Sequence, residues 1–123
     1  MKIRIKDDSL RLRLTQTEVK SFETDRRVSC AIHFPAGDKL TYTLIWGSGD
    51  EFQASYDGLE IKVTVPYSTG MNWLNPDQVG MEDHVHLSQG GDLRLLIEKD
   101  FACLSERKDE DESDMFPNPN DHC

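Results

Sequence analysis

Alternation with a period of two runs through most of the first hundred residues. KIRIK and SLRLRL put Ile3, Ile5, Leu10, Leu12 and Leu14 on one face and Lys2, Arg4, Arg11 and Arg13 on the other, the pattern of half-buried strands. A two-residue turn at Asp7-Asp8 sets the register, with Ile5 opposite Leu10, Ile3 opposite Leu12, Arg4 opposite Arg11 and Lys2 opposite Arg13. Aspartate tolerates the left-handed backbone such a turn requires. The period then changes. Thr15 with Glu18 three residues on forms a capping box, and Val19 and Phe22 supply an apolar face, so a short helix is predicted over about residues 16–23. Val28, Cys30, Ile32 and Phe34 alternate inward, Pro35 to Asp38 turns, and Leu40, Tyr42, Leu44 and Trp46 alternate again.

The second half reads the same way. Phe52, Ala54 and Tyr56 lead into Asp57-Gly58, the strongest hairpin signal in the chain, and Leu59, Ile61, Val63 and Val65 follow. Pro66 stops the strand. A short helix from Tyr67 to Leu74, weakened by Gly70, precedes Val79, Met81 and Val85, a turn at Gly90-Gly91, and Leu93, Leu95 and Ile97. Val28 and Val79, His33 and His84, and Phe22 and Trp73 match at an offset of 51 residues, as do Leu10/Leu12/Leu14 and Ile61/Val63/Val65. The chain therefore reads as a duplicated ββαββ unit, about 1–46 and 52–100, although Asp83 stands where Ile32 stands in the first copy. The predicted fold class is α+β. It is mainly antiparallel, with about eight strands, two short helices and a pseudo-twofold axis, closed as a barrel or as a single strongly curved sheet. Phe22 and Trp73 should each pin a helix, while His33 and His84 project outward.

At 123 residues the chain is sized for one modest core, assigned to residues 1–104. No apolar run approaches the roughly 18 residues of a membrane helix, and no signal-peptide core follows Met1, so a cytoplasmic protein is expected. Three cysteines, Cys30, Cys103 and Cys123, argue for reduced thiols rather than a disulfide framework. A net charge of −9 disfavours general nucleic-acid binding. Its distribution is more informative. Residues 1–14 hold five Lys/Arg against two Asp, and the acidic tail, 105–123, holds seven Asp/Glu against two Lys/Arg. Within that tail Met115 and Phe116 form an apolar pair that a purely solvated segment does not need.

The opening KIRIKDDSLRLRLTQTEV, the closing LRLLIEKDFACL, the acidic run and FPNP together resemble a family of small uncharacterised bacterial proteins, a domain of unknown function. The resemblance implies a bacterial, cytoplasmic, single-domain protein whose acidic and FPNP segments belong to the family pattern. It implies no catalytic residues.

Three constellations could carry chemistry. In the hairpin register, Lys2, Arg4, Arg11 and Arg13 form two like-charge pairs across strands. Such pairs are destabilising by about 0.2–1 kcal/mol each, and an anionic partner would relieve them. The candidates are the chain's own residues 106–114, an acidic protein, or a small carboxylate or phosphate; the bland reading is a solvated face with splayed side chains. His84 and His86 leave the same strand face at a chelating spacing, and Cys103, His122 and Cys123 could join them around zinc, in a metal-binding protein or small metalloenzyme. Against this, no Cys-x-x-Cys pair is present and exposed histidines are common. Cys103, just beyond a strand end, could be a nucleophile, but no catalytic motif accompanies it. The expected function is a non-catalytic binding module whose basic strand face recognises an acidic segment or anionic ligand. The alternatives are the metal site and an enzyme holding an anionic substrate inside a barrel.

Overall fold

The computed structural model describes residues 1–102 and 113–117. Its elements are β1 (Lys2–Ile5), β2 (Ser9–Leu14), α1 (Gln16–Asp25), β3 (Arg27–His33), β4 (Lys39–Trp46), β5 (Gln53–Tyr56), β6 (Glu60–Val65), α2 (Tyr67–Trp73), β7 (Gly80–His86) and β8 (Asp92–Lys99). They build two four-stranded sheets, ordered β1-β2-β8-β7 and β3-β4-β6-β5. The α+β class holds, but the closure does not: among the described residues there is neither a barrel nor one curved sheet. Helix α1 carries the chain from the first sheet to the second and α2 carries it back, so each half gives one hairpin to each sheet.

Every hairpin is antiparallel, and the β1–β2 register is the one the Asp7-Asp8 turn implies, Lys2 with Arg13 and Arg4 with Arg11. Asp7 takes the left-handed conformation, φ 49°, and Lys6 and Ser9 exchange backbone hydrogen bonds across the turn. The joins between hairpins, β2 with β8 and β4 with β6, are parallel, so both sheets are mixed. Alternation looks the same for either strand direction, and a parallel neighbour leaves no turn in the sequence to announce it.

Exchanging each element of one half for its counterpart in the other converts one sheet's strand order into the other's. The burial patterns agree as well: β1 matches β5, and β2 matches β6. The single offset needs correction. The hairpins β1–β2 and β5–β6 correspond at 51 residues, but β3 and β4 begin at 27 and 39 against 80 and 92 for β7 and β8, an offset of 53. Two extra residues lie between the start of α2 and β7. Val28 therefore corresponds to Met81, both buried, while Val79 is 45% exposed. His33 corresponds to His86, Cys30 to Asp83, and Trp46 to Lys99.

The core forms where the helices meet the sheets. Phe22 of α1 stacks on Trp46 and meets Trp73 of α2 edge-on, each at 5.4 Å between ring centroids, and Phe22 and Trp73 are both fully buried. Thr15 and Glu18 form the anticipated capping box. At Lys99, the counterpart of Trp46, an ammonium replaces an aromatic ring. It donates to the Asn75 carbonyl at 2.9 Å and lies 5.7 Å from the Trp73 ring centroid. Burial pulls its pKa below the usual lysine range. Ile32 and Phe34, read as inward, are about half exposed because β3 runs past the core at the end away from the helices.

Residues 113–117 lie against this body. Met115 is buried, Phe116 bridges to Phe101, and the Phe116 backbone hydrogen-bonds Asp100 and Ala102. Asp114 Oδ1 accepts from the Thr17 amide and hydroxyl in the first turn of α1.

Candidate functional site

The outer face of the first sheet carries the predicted basic ladder. Strand alternation turns Lys2, Arg4, Arg11 and Arg13 outward, and the parallel join sets Arg13 beside Glu98 and Ser9 beside Arg94. That join supplies carboxylates which the hairpin alone lacks. Glu98 pairs with Arg11 and lies 3.7 Å from Arg13. Lys2 Nζ is 3.1 Å from Asp100 Oδ2, a buried carboxylate that accepts no hydrogen bond among the described residues. Arg94 makes a two-pronged contact with Glu82 at 3.0 and 3.2 Å. This contact holds the Glu82 carboxyl below its usual range and raises the guanidinium pKa. At the Lys2–Arg13 end the sheet thus answers much of its own positive charge.

The end near the Asp7-Asp8 turn differs. Arg4, Lys6, Arg11 and Arg94, with Ser9, Leu10 and Leu96, line a concavity of about 340 Å³. Among the described residues Arg4 and Lys6 have no carboxylate partner. The predicted anion-binding set is therefore divided: Arg4 and Arg11 lie in the concavity, whereas Lys2 and Arg13 lie beside Asp100 and Glu98. Lys6 and Arg94 join the site. Lys6 continues the basic alternation of β1 and could have been included from sequence; Arg94 becomes a neighbour only through the β2–β8 join.

His84 and His86 are exposed on the outer face of β7. His86 Nδ1 is 2.6 Å from Asp92 Oδ1, and His84 stands opposite Arg94 in the strand pairing, a poor neighbour for a bound cation. Cys103, His122 and Cys123, and with them most of the acidic run 106–114, lie outside the described residues. Among those described, no three His, Cys, Asp or Glu side chains form a group able to hold a metal. Cys30 is half-buried between Glu18 and the Met1 amine. Burial there lowers the amine's pKa, but Glu18 and Cys30 outweigh that effect and raise it.

A second cavity, about 380 Å³, opens between the two sheets at the end away from the helices. Counterpart pairs line it: Ile5 with Tyr56, Leu10 with Ile61, and Leu40 with Leu93. Period-two reading assigns such side chains to the core; only the packing shows that the strand ends overrun it. Ile5 and Tyr56 are 59% and 66% exposed.

A family model matches residues 1–120, from the basic opening strand through FPNP. The chain belongs to that family, described as a family of unknown function (DUF7009). No curated protein and no solved structure matches the chain. Among the described residues no helix is long and apolar enough to cross a membrane.

Proposed function

We propose that this chain is a binding module that receives a carboxylate or phosphate group on the outer face of its first sheet. Arg4, Lys6, Arg11 and Arg94 are the receiving groups. The observation that carries this reading is the concavity itself, where four cations converge and two lack a carboxylate among the described residues. Guanidinium groups suit the task because their planar donors match both oxygens of a carboxylate or phosphate.

The chain's own duplication, which we read as the origin of the two halves, supplies an internal control. At the corresponding place on the second sheet, Arg4, Lys6, Arg11 and Arg94 are replaced by Ser55, Asp57, Lys62 and Thr41. That sheet has the same strand order without a basic cluster, so the fold does not require one. Arg4 stands opposite Arg11, whose charge Glu98 answers, and an anion in the concavity supplies the counter-charge that Arg4 and Lys6 lack among the described residues.

Titration with pyrophosphate and with a short oligoglutamate, followed by amide and side-chain NMR, tests the reading. Shifts should centre on Arg4, Lys6, Arg11 and Arg94 and weaken with added salt. Arg4→Gln with Lys6→Gln should lose them, while Lys62→Gln should not. Absence of any perturbation at these four residues at low salt would refute the proposal.

A further inference from the structure

We infer that the anion received by the basic concavity is the head group of a single amphiphile whose apolar chain occupies the mouth between the two sheets. This rests on the anion-receiving reading and names the ligand class: a monomeric long-chain carboxylate or alkyl phosphate.

The two cavities are neighbours. Ser9 and Leu10, the first residues of β2, line both, so the two cavities adjoin at the Asp7-Asp8 end of the sheet, around which one ligand can reach the basic face and the apolar mouth. Their volumes, about 340 and 380 Å³, each fall within the range of small-ligand clefts. The chemistry divides at that wall. The mouth is lined by Ile5, Leu10, Leu40, Tyr56, Ile61 and Leu93, and its one charged lining residue is Asp7. That carboxylate repels an anionic head from the mouth and favours its placement on the Arg4 side. Exposed apolar side chains gathered at one opening mark a site that some partner covers. A second copy could cover them, but an anionic amphiphile answers the apolar mouth and the adjoining Arg4 and Lys6 with one ligand.

Calorimetry and NMR on the full chain test this, using dodecanoate and dodecyl phosphate below their aggregation concentrations, with acetate, inorganic phosphate and dodecanol as controls. Dodecanoate should bind at least tenfold tighter than acetate, and dodecyl phosphate at least tenfold tighter than phosphate. Methyl shifts should appear at Leu10, Leu40, Ile61 and Leu93. Tyr56→Glu, a change at an exposed position that should leave folding intact, should remove the chain-length advantage while phosphate still perturbs Arg4. Arg4→Gln with Lys6→Gln should bring dodecanoate down to the affinity of dodecanol.

If chain length does not matter but phosphate still binds, the inference fails and the anion-receiving function stands. If neither phosphate nor dodecanoate perturbs Arg4 and Lys6, both fail. Binding to anionic vesicles without binding to monomeric dodecyl phosphate would assign the mouth to a membrane surface and overturn the proposal. A dimer dissociated by Tyr56→Glu, with no amphiphile bound, would assign it to a second copy and do the same.

Discussion

Gly70 lies so close to Trp46 that a Cβ added there would come within 2.5 Å of the indole nitrogen, which itself donates to the Tyr67 carbonyl. From sequence it looks like a weak point in a short helix; in the fold it makes room for a ring. Gly70→Ala should therefore destabilise by about 1–3 kcal/mol through overpacking, outweighing the roughly 1 kcal/mol that alanine gains in a helix interior. Denaturant unfolding decides this, since a more stable variant would show that the ring moves aside freely. Phe22 and Trp73 behave as the repeat implies. With both fully buried, truncating either to Ala should cost about 3–5 kcal/mol. Their burial was legible because each is the large apolar residue at the same place in two similar stretches. Lys99 was not legible, since nothing in LRLLIEKD marks which lysine will lie beside an indole.

Among the elements, the segment 113–117 is held by the apolar Met115, by the Phe116 backbone and by Asp114 at the start of α1. Met115→Ala should cost about 2–5 kcal/mol, the usual range for a buried methionine. A chain truncated after Leu104 should lose at least that much at both about 0.1 M and about 1 M salt, because apolar docking is not screened as exposed ion pairs are. Any further loss confined to low salt would measure the contribution of the acidic run. Acid should weaken the β5–β6 hairpin. The Leu59 and Glu60 amides hold the Asp57 carboxyl below its usual range, and the Thr43 hydroxyl does the same for Glu60. A depressed folded-state pKa gives stability that is present above the unfolded values, 3.8 and 4.5, and is lost as pH falls through the folded ones. Amide exchange in β5–β6 should accelerate over that acidic range, and Asp57→Asn should reduce the pH dependence. An unchanged profile in that variant would place the acid sensitivity elsewhere. Turns and caps such as Asp7-Asp8 and Thr15–Glu18 were readable because their partners lie within a few residues.

At the scale of the whole molecule, two sheets of matching strand order carry different outer faces, and only the first is basic around its opening turn. Building that character onto the second sheet tests whether the scaffold is neutral to it. Ser55→Arg with Thr41→Arg should create a second phosphate site around Lys62 without loss of fold, seen as a second set of NMR perturbations; unfolding would mean that sheet does not tolerate the charge. The sequence by itself determined the strands, the helices, the β1–β2 register, the likeness of the two halves and the outward direction of Lys2, Arg4, Arg11 and Arg13, because each depends on alternation or on a turn a few residues long. Only the tertiary structure decided the parallel joins, the split into two sheets, the pairing of Glu98 with the ladder and of Arg94 with the concavity, and the exposure of Ile5 and Tyr56. Those outcomes depend on which distant hairpins pack together and on where the helices stop covering the strands. A period of two records which way a side chain points, not what it meets.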